Sequence, residues 1–321
     1  MPIITTRREA QSVMDDFAER GASMAVFCTA GHWNTEAILL AANAFAKKHS
    51  MEGVAVTVAM TNNYPYMSQT RRMTYSGDAK AGFLSMMGHL YELCGENDSP
   101  YANITALPHL DHADPSRDLW ALTAGAEYLA SAMFDAQKYT DADNLALTAE
   151  YVRAYGPDLL VEGIMETLSV QDHAKGAGDA DNNYVTKAVD FRTKTGVDYL
   201  VADLGTEQQS SAQAGVYLRD RARALTKELG IPMLTLHGTS SLTTDQMNGL
   251  AADGVSRVNM WTRIAREAGQ YAAARLASRM DAVKAGDFEA AEANAYLRDA
   301  TEKAAEIMEG ILGIIGYGKL G

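Results

Sequence analysis

Short apolar runs rich in β-branched residues recur along the chain and alternate with longer stretches in which apolar residues return every three to four positions. The short runs are MAVFC (24–28), VAVTVAM (54–60), ITALPHL (104–110), SAMFD (131–135), LLVEGIM (159–165), YLVADLG (199–205), PMLTLHG (232–238) and VSRVNM (255–260). Each is too short for a helix and apolar enough for a strand covered on both faces. The intervening segments TEAILLAANAFAKKH, DLWALTAGAEYLA, NLALTAEYVRAYG, GVYLRDRARALTKELG and TTDQMNGLAADG have helical periodicity. Gly156 and Gly230 follow two of them as stop signals, and Thr244-Asp245 offers a cap to the last. Eight strand–helix alternations predict a (β/α)8 barrel.

Beyond the eighth run, RIAREAGQYAAARLASRMDAVKAG and FEAAEANAYLRDATEKAAEIMEGILGIIG continue as Ala- and Glu-rich helical patterns. They exceed what closes a barrel and predict an extra shell or a surface for self-association, as a dimer or tetramer. No composition break divides the chain, so residues 1–321 read as one barrel domain with a helical extension over about 263–321. The segment AKGAGDADNNY, from Ala174, follows the fifth run and predicts a long loop.

Composition narrows the function. The 41 acidic against 28 basic side chains give a net charge of −13, and no basic run exceeds Arg71-Arg72 or Lys47-Lys48. Neither nucleic acid nor an anionic membrane surface is an expected partner of such a chain. The N-terminus has no apolar stretch of signal-peptide length, and no window approaches a membrane span, so a cytoplasmic location is expected. Cys28 and Cys94 are the only cysteines. Cys28, within an apolar run, predicts a buried thiol acting as a small hydrophobe.

Residues able to do chemistry cluster where the strands end, which in this barrel is the reactive face. The third run leads into PHLDHAD, with His109, Asp111, His112 and Asp114. The fourth ends at Asp135, the fifth carries Glu162 and Glu166, the sixth leads into GTEQQ, the seventh into LHGTSS with His237, and the eighth into NMWT with Asn259. Imidazoles from different strands converging on one mouth can hold a divalent cation. Asp111, Asp114, Asp135, Glu162, Glu166, Asp172 and Glu207 all fall at or just beyond strand ends. An acidic mouth repels an anionic substrate unless a cation and backbone N–H groups compensate, which is a second reason to expect a metal.

The motifs HLDHAD, VEGIMETLSVQD, VADLGTEQQ, LTLHGTSS and RVNMWT, in this order over about residues 104–263, resemble the metal-dependent, class II fructose-bisphosphate and related ketose-bisphosphate aldolases. The resemblance implies metal-assisted aldol cleavage or condensation of a ketose phosphate or modified sugar through an enediolate. It implies that His112 and His237 are metal ligands, that Asp111 is the acid/base at the acceptor carbonyl oxygen, and that Asp172, ten residues on from Glu162, stands for the carboxylate that removes the donor proton. Asn259 would contact the enediolate. Ser240, with Gly238 and Gly205, belongs to the phosphate-holding loops, and Thr262 follows the eighth strand. The chemistry requires these types: a Lewis acid for the enediolate and a carboxylate on each side of the breaking bond. A lysine Schiff base is the competing strategy, and none of the eight runs contains lysine, although Lys138 lies just beyond the fourth.

Departures from the family pattern alter the expectation. Gln208 stands where the family has its third histidine ligand. Glu207, Glu166 or His173 can replace that ligand; a weaker or different metal can bind; or none does. The resemblance implies Zn²⁺, whereas an oxygen donor at Gln208 or Glu207 suits Mn²⁺ or Mg²⁺. Gln209, Thr239 and Ser169-Val170 replace glycines, and Trp261 replaces a small or acidic residue. Side chains there narrow an anion pocket, which favours a modified or singly phosphorylated sugar. The alternatives are an enediolate isomerase or epimerase, and a catalytically silent barrel that stabilises a partner enzyme.

Overall fold

The structure, a computed structural model, describes residues 2–166, 168, 183–210 and 215–321. Eight parallel strands close on themselves in sequence order: β1 Met24–Cys28, β2 Val54–Thr61, β3 Ile104–Ala113, β4 Ser131–Phe134, β5 Leu160–Ile164, β6 Tyr199–Val201, β7 Leu234–Leu236 and β8 Val255–Met260. Closure is made by β8 on β1, with Met24 opposite Arg257 and Val26 opposite Asn259. All eight predicted runs are strands, and the architecture is the (β/α)8 barrel that the alternation predicts.

Helices cover the barrel, among them Arg7–Arg20, His32–Lys48, Ala79–Cys94, Asp141–Tyr155, Tyr184–Thr195 and Arg219–Leu229. Two predicted helices are broken into short turns. DLWALTAGAEYLA forms a helix only over Leu119–Leu122, followed by a 3-10 turn at Ala124–Tyr128. Thr123 turns its hydroxyl back to the carbonyl of Leu119 at 2.7 Å, and this local bond, with Gly125 two residues on, ends the regular ladder. TTDQMNGLAADG likewise divides into Thr244–Met247 and a turn at Leu250–Asp253, and the cap is Thr243, one residue before the predicted pair, in a reciprocal capping box with Gln246.

The C-terminal region is part of the shell. The helix Ala293–Ile314 packs against His32–Lys48 and against Thr262–Ser278, burying Ala304, Met308 and Leu312 in the main core. Beyond it, Tyr317 is fully buried; its hydroxyl accepts from the N–H of Ala25 at 3.1 Å and donates to the carbonyl of Ala55 at 2.9 Å. It thereby ties the chain end to the beginnings of β1 and β2, the face of the barrel away from the chemistry. Among the described residues no helix is long and apolar enough to cross a membrane.

The barrel interior is polar in one layer. Glu162 of β5 faces the guanidinium of Arg257 of β8 at 2.6 Å, with both side chains excluded from solvent. His109 of β3 lies 3.8 Å from the same carboxylate and shares Ser131 with Arg257. Burial first of all, and then the Arg257 charge, hold His109 well below the usual imidazole range. His109 and Glu162, both strand-end candidates by sequence, thus sit one layer below the mouth.

Candidate active site

Successive residues of a strand point to opposite sides, so Asp111 and His112 should not both face inward. They do so because β3 breaks its register against β4 between Leu110 and Ala113, and His112 adopts φ +48. A non-glycine residue pays for that conformation, which persists only where its surroundings enforce it. Here the enforcement is visible: His112 Nδ1 and Asp135 Oδ2 of the neighbouring strand end are 2.7 Å apart. That bond leaves Nε2 aimed at the mouth.

The ligand atoms of Asp111, His112 and His237 lie within 4.8 Å of one another, and all three residues are buried. Asp111 Oδ1 and His237 Nε2 have no hydrogen-bond partner among the described residues. The other oxygen of Asp111 accepts from the amide of Asn259 at 3.1 Å, and the carbonyl of that amide takes the thiol of Cys28 at 3.0 Å. Burial alone would raise the Asp111 carboxyl, but His112, His237 and His109 outweigh it and hold it below the usual range. Burial would lower His112, yet Asp111 and Asp135 together lift it above the ordinary imidazole value. His237 is pushed down to about 4, by burial first and opposed by Asp111, so it stays a neutral donor at pH 7. Burial, followed by the charge of Asp111, raises the Cys28 thiol far enough to rule out a thiolate nucleophile.

A cavity of about 60 Å³ lies over this cluster, bordered also by Thr61, Tyr64, Gln208, Ser240, Trp261 and Thr262. Among the described residues no lysine or arginine lines it. Asn259, Ser240, Thr262 and Gly238, expected as binding residues, are therefore on its wall, whereas Gly205 and Glu207 are not among its lining residues. Gly205 is at φ +81, and an added Cβ would come within 2.6 Å of the Val216 carbonyl. Gly238, at φ +70, lets the β6 and β7 loops approach: its Cβ would be 2.8 Å from the Glu207 backbone. The same loops are stitched by Thr206, whose hydroxyl donates to the His237 carbonyl at 2.6 Å.

Gln208 is brought to the cluster. Its amide nitrogen is 3.4 Å from His112 Nε2, and its carbonyl accepts from the Tyr64 hydroxyl at 3.1 Å. Two of the replaced glycines have physical consequences. Gln209 retains a glycine-like φ of +57, and Thr239 uses its hydroxyl to hold the Asn259 carbonyl at 2.7 Å. Trp261 packs on Val26, Cys28 and Ala59 at the cavity edge. Of the other proposed substitutes for the third ligand, Glu166 is engaged by the Tyr184 hydroxyl and the Asp203 N–H. Asp172, His173 and Ser169-Val170 lie outside the described residues, as does most of the expected loop from Ala174.

Tyr64 was missed by sequence reasoning. Its ring lies parallel on His112, 4.2 Å between centroids and 9° between planes. The β2 loop that carries it is held by Thr61 and Gln69, which exchange bonds of 2.9 and 3.0 Å, and by buried Asp118, which accepts from both Asn62 and Asn63. NNYPYM reads only as a turn, and nothing in its spacing aims Tyr64 at a histidine far along the chain. Cys28 is the buried thiol that its apolar run predicts, and what the run conceals is its bond to Asn259.

A closed (β/α)8 barrel whose mouth gathers two imidazoles and a carboxylate defines a barrel enzyme of the metal-dependent kind. Residues 10–318 match the family described as fructose-bisphosphate aldolase class-II, and the chain belongs to that family. Similar solved structures include the fructose-bisphosphate aldolase of Campylobacter jejuni, at 15% identity and a TM-score of 0.78 over 98% of this chain and 96% of that one. The YdjI aldolase of Escherichia coli K12 is 17% identical with a TM-score of 0.63, covering 98% and 99% of the two chains. A putative fructose-1,6-biphosphate aldolase of Coccidioides immitis is 17% identical with a TM-score of 0.69, covering 99% and 100%. At such identities the likeness concerns the fold. Membership supports aldolase-type lyase chemistry that depends on a metal.

Proposed function

We propose that this protein is a carbon–carbon lyase that cleaves or forms an aldol bond in a ketose phosphate or modified sugar through an enediolate. One observation carries the reading: buried donor atoms of Asp111 and His237 converge with His112 and have no partner among the described residues. Leaving such groups unpaired costs about 1–3 kcal/mol each, which a bound cation or substrate would offset. The donor set fits a divalent cation. His112 and His237 would hold it, with Gln208 at the third place. As oriented, the Gln208 amide presents N–H; turning over the planar amide exchanges nitrogen and oxygen, and the Tyr64 hydroxyl can accept as well as donate. Two imidazoles with oxygen donors suit Zn²⁺ and, better than a three-histidine set would, Mn²⁺. When bound, such a cation supplies Lewis-acid polarisation of the ketose carbonyl.

The remaining work falls to side chains. Asp111, ionised and with Oδ1 free, is the acid/base for the hydroxyl proton of the breaking bond. Asn259 orients Asp111 through its amide and can donate to a substrate oxygen. Ser240, Gly238 and Thr262 are the binding loop, narrowed by Thr239, Gln209 and Trp261. Asp172 is assigned the donor proton by resemblance alone, and the domain organisation is read as one barrel with its C-terminal helices. Asp111→Asn tests the assignment: turnover of a phosphosugar panel should be lost while bound metal is retained. Metal loss in this variant would make Asp111 a ligand instead, and products that keep their carbon skeleton would replace cleavage with isomerisation.

A further inference from the structure

His112 and Gln208 need outside help to serve as ligands, for different reasons. The Gln208 amide is a neutral oxygen donor at the end of three rotatable bonds, so its strength as a ligand depends on being held in place. His112 is held by Asp135 at Nδ1, but one bond at the edge of a ring leaves the ring free to tilt about it. Buried Tyr64 touches both. Its ring lies parallel on His112, 4.2 Å away with 9° between planes, and its hydroxyl is 3.1 Å from the Gln208 carbonyl oxygen. Tyr64 is itself fixed relative to His112. Asp118, excluded from solvent, accepts at Oδ1 from the Asn62 amide and the Asn63 N–H, and at Oδ2 from the N–H of Asp114, all at 3.0 Å. One carboxylate thus ties the β2 loop to the chain two residues beyond His112. Tyr66 packs edge-on against Tyr64, 5.3 Å between centroids.

We propose that Tyr64 is a positioning residue of the cation site, its ring setting the plane of His112 and its hydroxyl setting the amide of Gln208. A hydroxyl suits the second task because it both donates and accepts. It pairs with the Gln208 oxygen as now oriented, and with the Gln208 NH₂ once the amide oxygen is turned toward a cation, so neither orientation leaves the outer end of a buried amide unpaired. Burial first, and then the charges of Asp135 and Asp111, raise the Tyr64 hydroxyl, which keeps it in this neutral form. Phenylalanine would retain the stacking and lose the amide contact; leucine would lose both. The proposal rests on the reading of Asp111, His112 and His237 as the cluster that receives a cation.

The full chain, freed of metal by dialysis against chelator, is titrated with Zn²⁺ in competition with a chromophoric chelator, and with Co²⁺ for its visible spectrum. Tyr64→Phe should weaken Zn²⁺ about tenfold and Tyr64→Leu about a hundredfold. Gln208→Ala should match Tyr64→Phe, and the double variant Tyr64→Phe/Gln208→Ala should be no weaker than Gln208→Ala alone, because both changes remove one interaction. The Co²⁺ bands of Tyr64→Phe should coincide with those of Gln208→Ala and not with the parent's. Gln208→His in the Tyr64→Phe background should restore most of the affinity, since an imidazole ligand needs no hydroxyl to turn it. A purely structural tyrosine would lower the melting temperature without this rescue or the change in Co²⁺ bands. Parent-like affinity in Tyr64→Phe and Tyr64→Leu, or losses that add in full in the double variant, would overturn the proposal. If His112→Ala/His237→Ala abolishes uptake while the Tyr64 variants bind as the parent does, the cation reading stands and the role of Tyr64 falls. A parent that takes up neither ion overturns both.

Discussion

His109, Glu162 and Arg257 lie one layer below Asp111, His112 and His237, and all six side chains are buried. The lower group contains its own cation: Arg257 meets Glu162 at 2.6 Å, and His109 is held uncharged. The upper group has two imidazoles and a carboxylate, but among the described residues no lysine or arginine lines its cavity and two of its donor atoms have no partner. Similar residue types therefore serve opposite ends. Below, a charge pair completes itself and supports the barrel; above, the charge balance is left to something that arrives. The strain follows the same division, since φ +48 at His112 and +57 at Gln209 are both at the upper layer.

Substitutions should separate the layers. The largest effect expected is on turnover: His112→Ala or His237→Ala should reduce it roughly a thousandfold or more, with circular dichroism retained, and His237→Ala should lose little stability. Next, Arg257→Leu should destabilise the fold by about 3–5 kcal/mol in denaturant titration, because it strands the buried Glu162. A stability loss from His237→Ala as large as that from Arg257→Leu would erase the distinction between the layers. Gly238→Ala should cost about 1–3 kcal/mol, since both φ +70 and the approach of the Glu207 backbone exclude a side chain. The smallest effect expected is for Tyr64→Phe, about 1 kcal/mol by the same titration, from a single hydrogen bond to Gln208 with the stacking on His112 retained.

The strands were legible because a strand buried on both faces leaves an unbroken apolar run, and each of the eight runs is a strand. Asp111, His112, His237 and Asn259 were legible because the mouth of such a barrel is built from strand ends, which are marked in the sequence by where apolar runs turn polar. What was not legible depends on contacts between distant segments. That consecutive Asp111 and His112 both face inward requires the bulge against β4, and Tyr64 reaches His112 only because Asp118 anchors its loop. The C-terminal helix, read as an extension, has an apolar face whose partner, His32–Lys48, lies at the other end of the chain. Gly205 and Glu207 were placed near the ligands by motif position, but the tight β6 loop keeps Gly205 against Val216 and leaves Glu207 off the cavity wall.

The central claim is that the upper cluster is built to receive a divalent cation. The most direct test is the metal content, by elemental mass spectrometry, of the protein purified without chelator, alongside the His112→Ala/His237→Ala double variant. About one equivalent per chain in the parent and a near-complete loss in the double variant is the expected result. A parent without metal that also fails to take up added Zn²⁺ or Mn²⁺, or a double variant that retains it, would contradict the account.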